Sequence, residues 1–476
     1  MLMRSLSRAA RHDDAVAGRN AARLAAILLA SAILFGGQSV FLTFVQAIPQ
    51  AIGVIVLAYG ALHWRAVVAT PGARAMLAIA AATLALIVVQ LVPLPYALWS
   101  TLPGRAVGVA MLAAGPGGTP WHALSQDPQA TLQSAFMLLP AAAMLVVGLM
   151  LDRMALRGLL LLMLALAGVS LLLGWLQLIA GIDSSLYLYG DQRALVSTGL
   201  FSNRNHQADL LCLGALAAGV ALYFLAPAQD RIRRHRVALA CAAIFLFGAS
   251  VATTGSRTGA SLFIPCAVIA IALSLAERRA GHRARRRGML VALAAIATIA
   301  LGWLLVGQPL DRLGASEDLR YAIWPDAWYL ARSLWPFGSG FGTFALAYQQ
   351  VESLGRVTPL LINAAHDDYL QLLIEGGGAA LAIVVAFFAW LGLQVRRLLR
   401  APSGRAGWCA LAGVALLLVH SAVDYPLRTE ALSTVFVLLC LVLNTASHVL
   451  PATANGATDT DDLALTRHIT ESEHRG

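Results

Sequence analysis

Residues 311–328 read D-R-L-G-A-S-E-D-L-R-Y-A-I-W-P-D-A-W, residues 335–344 W-P-F-G-S-G-F-G-T-F, and residues 366–378 H-D-D-Y-L-Q-L-L-I-E-G-G-G. They mark Asp311 to Gly378 as one long, comparatively polar stretch in a chain whose remainder is mostly apolar helix. The stretch carries Arg312, Arg320, Arg332, Arg356 and His366, a run of aromatic residues and a glycine-rich turn, and a new apolar helix begins near Asp367. Polar chemistry is concentrated here. The expected arrangement is a cap outside the cytoplasm, carried on a membrane frame.

Composition sets the class of that frame. A chain of 476 residues that is 59% hydrophobic and 12% charged, with mean hydropathy +0.73, has too little polar surface for a soluble globule. Its formal charge of +10 invites a nucleic-acid reading, but the arginines cluster at the ends of apolar spans, so nucleic acid is not an expected partner. All 34 basic residues are arginine. The five cysteines lie inside apolar stretches and behave as small hydrophobes, with no disulfide framework expected.

A membrane span needs about 20 apolar residues. Twelve candidates centre near Ala30, Val54, Leu86, Met144, Ala167, Leu216, Phe245, Ile269, Ala297, Ile383, Val414 and Phe436. The first follows a basic segment and resembles a signal peptide, but its apolar pattern recurs along the chain and an uncleaved span is expected. The fold expectation is an all-α polytopic membrane protein of about twelve spans, with a large loop outside the cytoplasm between spans nine and ten. Residues 1–23 form a cytoplasmic segment, 24–450 the membrane domain with its cap at about 308–366, and 451–476 a disordered cytoplasmic tail.

Arginines orient the spans. With both termini in the cytoplasm, 25 arginines fall on inside segments and nine outside: Arg105, Arg193, Arg204, Arg257, Arg312, Arg320, Arg332, Arg356 and Arg428. Topology does not require those nine, so they need another reason.

The outside segments supply candidates. Q-L-V-P-L-P-Y-A-L-W, from Gln90, ends the third span with prolines and places Tyr96 and Trp99 where headgroup anchors belong. F-S-N-R-N-H gathers Asn203, Arg204, Asn205 and His206 where the sixth span starts, which suits either a polar helix cap or substrate binding. T-T-G-S-R-T-G-A, from Thr253, is so short a hairpin that Arg257 stands at the membrane edge, with Ser256 able to cap the helix behind it. A helix N-terminus beside an arginine is an anion site, although an arginine at that depth can also simply reach for lipid headgroups.

Within the cap, Arg320, Trp324 and Trp328 recur at helical spacing, as in an amphipathic helix on the membrane face. W-P-F-G-S-G-F-G-T-F lacks the lysine of a P-loop, so its glycines serve a tight backbone path or a compact turn. His366, with an ordinary pKa of about 6.5, can take a proton from a hydroxyl acceptor. Asp368 and Glu375 share a helix face beyond it and either orient partners or cap the span.

F-S-N-R-N-H near 201, G-S-R-T-G near 255, R-Y-A-I-W-P-D-A with P-F-G-S-G-F-G-T-F, and H-D-D-Y-L-Q-L-L-I-E-G-G occur in order over about residues 195–380. In that combination the chain resembles the O-antigen ligase and polymerase superfamily of bacterial envelopes. The resemblance implies twelve spans, a location in the bacterial inner membrane and an active site facing the periplasm. It implies a glycan donor on undecaprenyl pyrophosphate, a saccharide or lipid A core acceptor, and no metal or other cofactor. Carried over motif by motif, Arg257 and Arg320 are its pyrophosphate-binding arginines and His366 the histidine of its large loop, while Arg204 stands where a small residue or proline is expected. Asn203, Arg204, Asn205, His206, Arg312 and Tyr369 complete the substrate-binding set.

Arginine clamps suit the chemistry independently, because breaking the bond from anomeric carbon to diphosphate develops charge on the leaving phosphate. A metal can do the same, and His206, His366, His420 and Asp424 are the residues that could meet as one. A polymerase joining two lipid-linked repeat units is the close alternative to a ligase, and protein O-glycosylation a third. A polyprenyl-linked glycan transporter is the alternative of another class, but the internal repeats expected of one are not evident.

Overall fold

The computed structural model describes residues 2–39, 44–115, 120–190, 195–225, 230–275, 319–356, 361–400 and 404–448. In chain order the helices are α1 (Leu2–Phe35), α2 (Ala47–Leu62), α3 (Trp64–Ala69), α4 (Ala73–Leu91), α5 (Tyr96–Trp99), α6 (Ala106–Ala114), α7 (Pro128–Met137), α8 (Leu139–Gly148) and α9 (Arg153–Ala180). They continue with α10 (Arg204–Leu225), α11 (Asp230–Thr253), α12 (Arg257–Leu275), α13 (Leu319–Ser333), α14 (Phe344–Gln349), α15 (Asp368–Arg400), α16 (Arg405–His420) and α17 (Glu430–Ser447). Strand β1 (Pro93–Pro95) pairs antiparallel with β2 (Trp121–Ala123), Leu94 opposite His122.

Among the described residues, ten helical stretches are long and apolar enough to cross a membrane, and α16, with 16 residues, is a shorter apolar helix. They coincide with every expected centre except Ala297, which lies outside the described residues. The chain is a polytopic all-α membrane protein.

Burial separates the spans into a centre and a rim. The most apolar windows of α10 and α17 are each 78% buried, against 17% for α4. A helix apolar on all sides can be enclosed by other helices, whereas one at the rim turns much of its surface to lipid. Accordingly α10 packs against α9, α11, α12 and α16, and α17 against α1, α8, α9 and α16. Small residues set the closest approach: a Cβ on Gly219 of α10 would lie 2.5 Å from the Ala270 carbonyl oxygen of α12.

Loops gather at two ends. At one, Ala431 N donates to Gly36 O at 3.0 Å, Ser202 N to Gly37 O at 3.2 Å, and Ser197 N to Thr253 O at 3.1 Å. At the other, Asn444 Nδ2 donates to Pro71 O at 2.8 Å and Arg405 Nε to Leu273 O at 3.0 Å. The segments that the arginine count assigns outside are those at the first end, called the cap end below. That side also holds a small core of its own, in which Ile323, Ala327 and Leu330 of α13 pack with Phe344 and Tyr348 of α14 and Leu370 and Ile374 of α15.

The glycine-rich turn explains how the cap is fastened. Helix α15 is broken at Gly377, whose φ of 57° and ψ of −145° interrupt the helical ladder. A break inside an apolar helix leaves carbonyls that something else must satisfy. The turn does so: Ser339 N donates to Ile374 O and Gly340 N to Glu375 O, each at 2.9 Å, while Gly378 N donates back to Pro336 O at 2.9 Å. Gln90 Nε2 supplies a second donor to Glu375 O at 2.9 Å, and its Oε1 accepts from Phe341 N at 3.0 Å. Of the two uses expected for these glycines, the structure shows the compact turn. The aromatic pair at the third span divides: Tyr96 is 39% exposed as an anchor would be, whereas Trp99 is turned inward beneath the His122 ring.

Candidate active site at the cap end

Residues 366–368 form the corner where the cap enters α15. Asp367 accepts from Tyr369 N at 2.9 Å and Leu370 N at 3.0 Å, so it is the helix cap. Burial raises its pKa above the ordinary carboxylate range, opposed by those two backbone donors. His366, one residue earlier, has φ of 52°, a left-handed conformation that a side chain bearing Cβ seldom adopts. Such a conformation persists where the surroundings hold it.

What holds it is the turn between α16 and α17. His366 Nδ1 lies 3.3 Å from Asp424 Oδ1, with the imidazole 25% exposed and the carboxylate fully buried. Asn205 Nδ2 donates to the other oxygen, Oδ2, at 2.6 Å. Tyr425 stands between two histidines, 5.0 Å from the His366 ring and 5.2 Å from that of His206. Burial works to raise the Asp424 pKa, but the hydrogen bond from His366 and the neighbouring histidines outweigh it and hold the carboxylate below its ordinary range. With Nδ1 turned to Asp424, Nε2 is the ring nitrogen not engaged by that carboxylate.

Below this layer the polar chain continues into the spans. His420 Nδ1 lies 2.6 Å from Asp209 Oδ1, and His420 Nε2 is 3.9 Å from Asp424 Oδ2. His206, Asp209 and His420 are fully buried, and both ring nitrogens of His206 are without a hydrogen-bond partner. The four residues that could meet as a metal site lie in one region, but among the described residues no three His, Cys, Asp or Glu side chains are grouped so as to hold a metal ion. His366 and His420 each approach Asp424, at 3.3 and 3.9 Å, whereas His206 reaches His366 only through the edge and tilted contacts that both rings make with Tyr425.

A second network locks the corner. Arg428 donates from Nε to Asp368 Oδ1 at 3.3 Å and from Nη2 to Glu375 Oε2 at 3.0 Å. Ser421 Oγ donates to Asp368 Oδ2 at 2.9 Å, Asp368 N to Ser421 O at 2.7 Å, and Gln371 Nε2 to Glu375 Oε1 at 3.0 Å. The shared face of Asp368 and Glu375 thus holds one arginine from the turn that also carries Asp424.

The remaining expected residues distribute as follows. Asn203 serves as a cap, its Oδ1 accepting from Asn205 N at 2.8 Å. Ser256 Oγ accepts from Gly259 N at 3.0 Å, which caps α12 and leaves Arg257 exposed as its first residue. Arg204 is exposed at the start of α10, and a Cβ on Gly255 would meet its Nη1 at 3.5 Å, so Arg204 and Arg257 flank one turn. Tyr369 is tied away from this group, its hydroxyl donating to Leu418 O at 2.8 Å.

Arg320 is placed by its backbone alone, one turn before Trp324, whose indole donates to Ala365 O at 3.0 Å beside His366. Arg312 lies outside the described residues. Sequence reading missed Asp209 as a partner and took Asp424 only as a metal ligand. A lone carboxylate three positions beyond His206 in an apolar span was the available signal for the first, and the outside arginine Arg428 beside it for the second.

Residues 242–385 match the family model described as O-antigen ligase. No curated protein matches the chain at a significant level. The matched segment contains Arg257, the cap and the corner at His366. It supports the O-antigen ligase superfamily, and with it an envelope ligase or polymerase type of membrane enzyme that acts on lipid-linked glycan and a saccharide acceptor.

Proposed function

We propose that this protein transfers a glycan from undecaprenyl pyrophosphate to an acceptor hydroxyl of lipid A core, on the periplasmic face of the inner membrane. The observation that carries the reading is the His366–Asp424 pair, 3.3 Å apart, at a residue held in a left-handed conformation. In this reading Asp424 accepts a hydrogen bond from Nδ1–H and so fixes the tautomer, leaving the Nε2 lone pair for the acceptor O–H. That proton passes to Nε2 as the acceptor oxygen bonds to the anomeric carbon. The bond from that carbon to the diphosphate oxygen breaks, and its electron pair leaves with the diphosphate.

Arg204 and Arg257, on either side of the Gly255 turn, and Arg320 from α13 receive that charge. Guanidinium forks match phosphate oxygens, and donors already oriented before the reaction need no rearrangement as charge develops. Asn205 keeps Asp424 in place, and His206 fixes Tyr425 against the imidazole.

The test is transfer by purified protein in proteoliposomes, supplied with a polyprenyl-diphosphate oligosaccharide. The expected products are glycosylated lipid A core and free polyprenyl diphosphate, formed only when acceptor is present. Lengthened lipid-linked glycan instead would make the protein a polymerase. Movement of the intact donor across the bilayer without bond cleavage would make it a transporter.

A further inference from the structure

Residues 96–115 and 120–123 lie at the cap end and surround a cation, Arg105, that has no counter-charge among the described residues. Arg105 is only 2% exposed. Its Nη2 donates to Leu124 O, while buried Nε and Nη1 have no partner. Two more nitrogens nearby are in the same condition: the Trp99 Nε1 donor and His122 Nε2 are buried and unpartnered. The three side chains are one cluster, with the Trp99 and His122 rings 4.7 Å apart and the guanidinium carbon 5.9 Å from the Trp99 ring. Burial lowers the Arg105 pKa to about 10.

A buried cation is tolerated when an anion and hydrogen-bond acceptors accompany it. This cluster has donors in excess and, within ion-pair distance of Arg105, no carboxylate among the described residues. The surroundings indicate where an anion would come from. Helix α6, A-V-G-V-A-M-L-A-A, is apolar yet has no buried residue, with Val107 44% and Met111 70% exposed. Leu98 and Trp121 are exposed on the flanking segments. A short apolar helix with no buried residue, next to exposed tryptophan and tyrosine, belongs at a bilayer boundary.

We propose that the Arg105, Trp99 and His122 cluster binds the phosphate group of a lipid, with α6 seated among the acyl chains. The guanidinium supplies the charge and the indole and imidazole N–H groups complete the acceptors' partners. The site is separate from His366 and Asp424, and its occupancy does not depend on the transfer reaction.

The experiment is thermal denaturation of the full-length protein in detergent, titrated with phosphatidylglycerol, with diacylglycerol lacking phosphate, and with inorganic phosphate. Wild type should show a rise in Tm with phosphatidylglycerol well above that with diacylglycerol, and Arg105→Gln should lose this difference. Arg153→Gln, at the opposite end, should keep it. Trp99→Phe, which removes one N–H and keeps the packing, should weaken the response and serves if Arg105→Gln does not fold. An equal rise with inorganic phosphate, lost in Arg105→Gln, would assign the site to a soluble phosphate compound and overturn the lipid assignment. A full phosphatidylglycerol response in Arg105→Gln or in Trp99→Phe, or an equal response to diacylglycerol, would overturn the site itself.

Discussion

Arg204 and Arg257 come from helices that start at the same end of the bundle, and each stands on the first residue of its helix, where backbone N–H groups are unsatisfied. Lysine at either position keeps the charge but loses the fork, so Arg204→Lys and Arg257→Lys should each lower transfer about tenfold or more, corresponding to on the order of 1–2 kcal/mol. Single-turnover kinetics with saturating donor checks this, and wild-type rates in both would move the clamp elsewhere. Asp424 gives a pH dependence. Its folded pKa lies below the ordinary value, so folding favours the ionised form. The stabilisation is complete above the unfolded carboxylate range and is lost as pH falls below about 4. Melting temperatures of Asp424→Asn should therefore depend less on pH than those of wild type in that acid range. The candidacy of His366 and Arg257 was legible from residue type and position, since polar side chains at the mouths of apolar spans are few. Asp424, 58 residues away in another turn, was reached only as one of four residues that could meet as a metal site, and nothing in either segment specifies a hydrogen-bonded pair.

At the scale of elements, periodicity and length were sufficient for the spans and insufficient for the break in one of them. D-Y-L-Q-L-L-I-E-G-G-G and the apolar run after it read as one helix, and only the carbonyls taken by the 335–341 turn reveal the interruption at Gly377. A Cβ on Gly377 would lie 2.1 Å from Pro336 O, and φ there is 57°. Gly377→Ala should accordingly destabilise the protein by about 1–3 kcal/mol or more, from strain combined with the clash. Denaturation in detergent measures it, and an unchanged midpoint would show that the turn and the break do not depend on each other. Trp99 is the converse case: its spacing from Tyr96 suited a headgroup anchor, but Arg105 and His122 from later segments draw the indole inward.

For the molecule as a whole, alternating arginine-rich and arginine-poor loops predicted which segments share an end, and the hydrogen bonds between loops group them in the same way. Which end faces the cytoplasm is carried by the arginine count. Cysteine at Leu354, 93% exposed in the cap, should react with an impermeant thiol reagent added to the periplasmic side, and cysteine at Arg400 only after the inner membrane is opened. The reverse pattern would invert the topology. The candidate site sits where α10, α15 and the α16–α17 turn meet, three parts of the chain that only the fold brings together. The most direct test of this account is the single-turnover rate of glycan transfer by His366→Ala, measured beside donor binding by the same preparation. The account predicts a rate lower by about 10² to 10⁴ with donor affinity nearly unchanged, as for loss of a general base. Transfer at the wild-type rate would contradict it.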